Sequence, residues 1–274
     1  MFTAINDDAQ ALLAQDAKIA LLAVKGTDGY PHITFLSSLQ GLGEKELTFG
    51  QFMTGLSKEF LPLNPDCAFV AISADKKWLR GNARYTHKET GGPEFEMYNS
   101  KPLFRYNTYF GINTVWYLAL KGISAVEPIP MGSIVAGALV SKAAAIAGKY
   151  DVPALSRISC ELFADLMCLK FLSYFDSDGN PQILPVIQAT HSGSSHIIMS
   201  GIPFGAELAA IPVGSKVACM AVNMSMESVL VKGSFKGKQG AVYTLAVEKV
   251  YNSMPTCNGY IYPRERKPSA VEAF

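Results

Sequence analysis

The chain has 274 residues, with 24 Lys and Arg against 23 Asp and Glu, so its formal net charge is +1. A balance this even provides no global field directed at nucleic acid or at an anionic membrane. No GxGxxG, GxxxxGK[ST] or GxSxG motif occurs to support a dinucleotide fold, a P-loop or an α/β-hydrolase.

In chain order, Asn6 or Asp7 is placed to cap a short helix through Gln15, with Ala11, Leu12 and Leu13 facing inward. Strands are expected at about 18–25, 31–39 and 46–51, with Asp28-Gly29 and Gly41-Leu42-Gly43 as turns. Each run is short, rich in Val, Ile, Leu and Phe, and closed by turn residues, which is how strands read. From Gly55, GLSKEFLPLNP reads as a short helix with Ser57 near its start and a stop at Asn64-Pro65. A strand at 67–74 and the segment Lys77–Tyr85 precede a long polar excursion, His87–Phe104, and Val115–Ser124 closes this half. MGSIVAGALVSKAAAIAGKY is too weakly hydrophobic, and too short between charges, to span a bilayer; its Ala and Gly content predicts a closely packed connecting helix. Leu155–Leu166 reads as another short helix, followed by strands at about 169–175, 182–189, 196–200, 216–223, 228–236 and 241–250. The tail NGYIYPRERKPSAVEAF is polar and reads as partly disordered.

The second half repeats the first. Asp178-Gly179-Asn180-Pro181 matches Asp28-Gly29-Tyr30-Pro31 at an offset of 178 − 28 = 150, and Ile197–Ser200 matches Leu47–Gly50 at the same offset. Turn signals at fixed spacing, with apolar runs in step, predict a tandem duplication. The expected division is 1–130, a helical linker over 131–152, a second copy over 153–256 and a tail over 257–274. The five cysteines are odd in number, scattered and without a CxxC pair, and the N-terminus lacks the basic-then-apolar order of a signal peptide. A reducing, cytoplasmic setting is the expectation.

A helix, a hairpin, a third strand, a short helix and further strands joined by short turns predict small antiparallel barrels, because parallel strands would need helical crossovers. The order of LLAVKGTDGYPHITFLSS, LTFGQFMTGLSKEFLPLNPDCAFVAI and WLRGNARY resembles the FMN-binding split barrels related to pyridoxamine 5′-phosphate oxidase. The resemblance covers about 20–126 and, more loosely, 169–250. It implies a mainly β fold with peripheral α: two tandem split β-barrels joined by a helical linker.

A phosphate monoester is held by a cation, a hydroxyl and free backbone amides, and Ser57-Lys58 at a helix start supplies all three. Alone, the pair would read as solvated helix residues; in this strand order it reads as a phosphate site. The resemblance implies that Thr34, Phe35, Leu36 and Ser37 run along the isoalloxazine ring and that Gln51 lies near the ribityl chain or phosphate. Arg80 is either a second phosphate cation or an ordinary strand arginine. In the second copy Leu208 stands where the first has Lys58, and Glu207 or Ala206 matches Ser57, so that copy is expected to have lost FMN. Relatives of this kind dimerise around the flavin, which the chain could reproduce as an internal pseudo-dimer or as a homodimer.

His191 and His196 lack a carboxylate cluster and read as loop histidines, so no metal is expected. Arg105, Tyr106, Asn107, Tyr109 and Trp116 suit either the cover of a planar ring or a half-buried strand edge. The expectation is an FMN-dependent oxidoreductase acting on a small acceptor, without an assigned catalytic residue, since a flavin supplies its own chemistry. Arg264 and Arg266 are the only candidates for the oxidase's closing substrate segment, which speaks against B6 vitamers as substrates. The alternative is a non-enzymatic FMN carrier or sensor, or an interaction scaffold.

Overall fold

The structure, a computed structural model, describes residues 1–52, 55–104, 111–146, 154–223, 225, 227–252 and 259–263. The first copy runs α1 (Asp7–Leu13), β1 (Lys18–Lys25), β2 (Pro31–Phe35), β3 (Gln40–Leu42), β4 (Glu46–Gln51), α2 (Leu56–Phe60), β5 (Asp66–Ser73), β6 (Lys77–Glu89), α3 (Pro93–Ser100), β7 (Thr114–Ile123) and β8 (Glu127–Pro128). After α4 (Met131–Ile146) come α5 (Arg157–Ala164), β9 (Leu169–Phe175), β10 (Pro181–Pro185), β11 (Thr190–Ser192), β12 (His196–Ser200), α6 (Gly205–Ala209), β13 (Lys216–Val222), β14 (Ser228–Gln239), β15 (Val242–Asn252) and β16 (Gly259–Tyr262).

Two eight-stranded antiparallel sheets result, with seven-strand paths β2-β1-β5-β6-β7-β4-β3 and β10-β9-β13-β14-β15-β12-β11 and an eighth strand off each path, β8 on β6 and β16 on β15. Each path opens and ends on strands that are consecutive in the chain, as in a split barrel. The fold is mainly β with peripheral helices, as the sequence predicts. Two compact units form: Met1–Thr27, His32–Ile129 and Gly179–Ile183 make the first, and Asp28–Pro31, Pro130–Asp178 and Leu184–Phe274 the second.

The duplication is visible in backbone detail. Asn6 accepts from the Ala9 amide to cap α1, and Ser156 accepts from Ser159 to cap α5. Gly29 and Gly179 have φ of 77° and 79°, and Gly43 and Gly193 have 62° and 59°, left-handed conformations that glycine adopts without the Cβ clash. The ladder pairs Leu21 with Val70 and Phe171 with Met220. Register shifts fall at Asn82/Ala83 and Tyr85/His87 in β6, and at Lys232/Gly233 and Phe235/Gly237 in β14. All of these correspond at an offset of 150.

Past the sixth strand the offset changes. Glu46 pairs with Ala119 while His196 pairs with Ala246, so the offset is 246 − 119 = 127. The first copy therefore carries 150 − 127 = 23 extra residues between β6 and β7. Part of this surplus folds as α3 and the 3-10 turn Pro102–Phe104. There Tyr98 and Phe104 pack with Ile112, Val115 and Tyr117, on the opposite side of β7 from the barrel core.

In the first unit the core is built from alternate residues: Ala20, Leu22 and Val24 of β1, Cys67, Phe69 and Ala71 of β5, Leu79 and Ala83 of β6, and Phe49, Trp116 and Leu118. In the second, Phe171, Leu172, Met199, Cys219, Val231, Phe235 and Leu245 are buried. The Ala- and Gly-rich linker is helical as α4, and Ser141 Oγ accepts the Ser200 amide at 2.8 Å. A Cβ on Gly137 would stand 2.3 Å from the Ile202 carbonyl oxygen, which explains the small residues.

Several expectations need correction. Gly41 and Leu42 belong to β3, and only Gly43 turns. The strands expected at 31–39 and 182–189 stop at Phe35 and Pro185, because a turn follows in which the Leu39 and Ala189 amides bond Leu36 and Val186. β6 runs through His87 to Glu89, since it pairs with β7 along its length. The helix expected to reach Gln15 ends at Leu13. Within the tail, Gly259–Tyr262 is a strand on β15, while residues 264–274 lie outside the described set.

Candidate functional site

β4 ends at Gln51, and α2 begins after Gly55, which is extended at φ −134°, ψ 170°. The helix has five residues and no side-chain cap, so its dipole is a minor contributor. What distinguishes the site is charge. Desolvation lowers the Lys58 ammonium pKa to about 8, and no carboxylate among the described residues pairs with it. Ser57 beside it is only 3% exposed. A half-buried cation beside a buried serine fits an anionic oxygen ligand, because such a ligand favours the ammonium's charged form and can accept a hydrogen bond from the hydroxyl.

The remaining expected residues divide. Thr34, Phe35 and Ser37 are half-buried at and just after the end of β2. Leu36 packs into the core, and its amide donates to Ala20 at 2.8 Å, so neither its side chain nor its N–H faces a ligand. Gln51 is 8% exposed, and its Oε1 accepts the Trp116 indole N–H at 2.7 Å. Arg80 lies on β6, in a row with Val70 and Leu21 on the face opposite the core. Its guanidinium sits 5.7 Å from the Trp78 ring centroid. It is two strands removed from β1, against which α2 packs.

Of the aromatic run, residues 105–110 lie outside the described set. Trp116 is 2% exposed and stacked on Phe49 at 5.9 Å, which makes it a core residue rather than a ring cover. In the second copy Leu208 of α6 is fully buried, an apolar plug where the first copy has its cation. His191 Nδ1 meets the Gly193 carbonyl at 2.8 Å and His196 Nδ1 meets Ser195 Oγ at 3.0 Å. Among the described residues no group of three His, Cys, Asp or Glu could hold a metal, and no helix is long and apolar enough to cross a membrane.

Sequence reading missed one feature next to this site. Ser38 Oγ donates to the Gly50 carbonyl at 2.9 Å and accepts the Gly50 amide at 3.1 Å, tying the turn after β2 to the end of β4. The Tyr98 hydroxyl donates to the Ser38 carbonyl at 2.9 Å and shares a 2.8 Å hydrogen bond with Thr48 Oγ1. Tyr98 is fully buried. The only sequence signal for it was the length of the excursion.

No protein-family model matches the chain, and no curated protein does. Among solved structures the chain is similar to an FMN-binding protein from Syntrophomonas wolfei subsp. wolfei, at 15% identity and a TM-score of 0.38, over 44% of this chain and 85% of that one. It is similar to Group A Streptococcus HupZ, at 15% identity and a TM-score of 0.37, over 43% of this chain and 91% of that one. It is also similar to a Clostridium acetobutylicum protein related to general stress protein 26, of the pyridoxinephosphate oxidase family. There the identity is 15% and the TM-score 0.31, over 43% of this chain and 91% of that one.

Proposed function

We propose that the first copy binds FMN, with the phosphate at Ser57 and Lys58, and that the protein is a flavin-dependent oxidoreductase acting on a small acceptor. The observation that carries the reading is Lys58, a partly desolvated ammonium without an anionic partner among the described residues. The order of motifs across 20–126 supports the identity of the ligand. When bound, FMN supplies the hydride and electron transfer. The chain's own part is to hold the phosphate at Lys58 and Ser57 and to present the half-buried Thr34, Phe35 and Ser37 to the ring.

Lys58→Ala should weaken FMN binding by roughly 1.5–3 kcal/mol, the range of a charge-assisted hydrogen bond, and leave riboflavin, which has no phosphate, unchanged. Equal losses for both would place the phosphate elsewhere. The FMN-loaded protein should bleach with reduced nicotinamide and recover in air. Yellow protein inert to every reductant would establish a carrier, and protein that refuses FMN would rule out the cofactor.

A further inference from the structure

We propose that Tyr98 is a positioning residue for the flavin: through Ser38 and Thr48 it locks the turn after β2 onto the end of β4, so that the ring-side and phosphate-side segments are held as one piece. The proposal rests on the FMN reading above. Residues 34–37 lead directly into Ser38, and Gly50 leads into Gln51 and on to Ser57-Lys58. One serine thus joins the two segments, accepting from and donating to the same residue, Gly50.

The turn is pinned at further points. The Leu36 amide is held by Ala20 at 2.8 Å, the Leu39 amide by Leu36 at 3.1 Å, and the Ser38 carbonyl by Tyr98 at 2.9 Å. Tyr98 contributes the only bond in this set that comes from outside the barrel strands and their turn. It does so from a buried site on α3, anchored by Phe104 at 5.5 Å between ring centroids.

The second copy makes the comparable tie differently. Gln188, the counterpart of Ser38, donates from Nε2 to the Ser200 carbonyl at 3.1 Å, while the Ser200 amide goes to Ser141. The tyrosine belongs to the 23-residue surplus (150 − 127), which is found in the copy that retains Lys58. A turn pinned before the ligand arrives has less freedom to lose on binding, so the contact acts on affinity without touching the flavin.

The test measures FMN and riboflavin affinity by flavin fluorescence, together with apoprotein melting, for wild type, Tyr98→Phe and Thr48→Ser. Tyr98→Phe should weaken both flavins equally, by about fivefold, the equivalent of one hydrogen bond. Thr48→Ser, which keeps the hydroxyl, should behave as wild type. If Tyr98→Phe lowers the melting temperature while both affinities stay at wild type, the residue is merely structural and the proposal falls. If FMN alone is weakened, the coupling to the ring side is wrong. Should Tyr98→Phe fail to fold, Thr48→Val, which breaks the same network from β4, is read by the same criteria. A wild-type protein that binds no FMN removes the underlying reading, an outcome distinct from binding that is indifferent to Tyr98.

Discussion

Lys232 Nζ, on a side chain with no exposed surface, lies 3.4 Å from Asp28 Oδ2, and Lys249 Nζ reaches the same oxygen at 3.0 Å. The Tyr260 hydroxyl donates to it at 3.0 Å, and the Tyr30 amide donates to Oδ1 at 3.1 Å. All five residues belong to the second unit. Burial works to raise the Asp28 pKa, but Lys232, Lys249 and the hydrogen bonds from Tyr30 and Tyr260 outweigh it and leave it at about 2. Removing the carboxylate would leave a buried ammonium without its counter-charge, so Asp28→Asn should cost on the order of 3 kcal/mol in urea denaturation. Lys232→Met leaves Asp28 with Lys249 and Tyr260 and should cost less than about 1 kcal/mol. Equal losses would mean that the pair is not energetically asymmetric.

Burial also sets how stability varies with pH. Desolvation lowers the pKa of each of Lys18, Lys58, Lys170 and Lys232 from 10.5 to about 8. Above pH 8 the folded chain releases protons that the unfolded chain still holds, so these groups make stability rise with pH up to 10.5. Cys67 and Cys219, raised by burial from 9.0 to about 12, and Cys168, raised to about 11, act oppositely from pH 9 upward. Tyr117, raised from 10.0 to about 12, joins them above pH 10, with Tyr30 and Tyr98 shifted in the same direction. Asp28 adds stability above pH 3.8 that is lost as pH falls through 2. Four lysines outweigh three cysteines until the tyrosines join them, so denaturation midpoints should climb from pH 7 and turn over only at about pH 10. A midpoint falling steadily from pH 7 would show that the lysines stay charged in the fold.

Close packing of α4 gives a contrast between two glycines of one helix. A Cβ at Gly137 would meet the Ile202 carbonyl oxygen at 2.3 Å and Ser200 Oγ at 2.6 Å, whereas one at Gly132 would meet nothing within 4 Å. Gly137→Ala should destabilise by about 1–3 kcal/mol through overpacking, and Gly132→Ala should stabilise by about 0.5–1 kcal/mol through helix propensity. Thermal melts of the two variants decide it; shifts of the same sign would refute the packing of α4 on β12.

The duplication was legible because its signals are local. Asp28-Gly29 and Asp178-Gly179 are turn signals in their own right, and the short apolar runs on either side of each form strands. The linker helix was legible from its small residues. Tyr98 was not, because its importance comes from a hydroxyl that meets Ser38 and Thr48, each at least 50 residues away in the chain. Gln51 carries a partner of the same kind: its Oε1 accepts the Trp116 indole N–H from the neighbouring strand, a contact its place at a strand end does not announce. Lys58 could be picked out by its place in a motif, but only the fold shows that it is desolvated.

The asymmetry between the copies predicts stoichiometry. Lys58 in α2 is matched 150 residues on by Leu208 in α6, which is fully buried and can neither reach nor charge-balance a phosphate. The strand ends differ as well: β10 closes on Pro185, which has no amide hydrogen to offer at the position of Phe35. Titration of the apoprotein should give one FMN per chain. Two equivalent sites per chain would overturn the assignment of Lys58 as the phosphate cation, because Leu208 would then perform the same task without a charge. Lys58→Ala in the same titration ties the single site to the first copy. The stoichiometry should stay at one while the midpoint moves by roughly 1.5–3 kcal/mol.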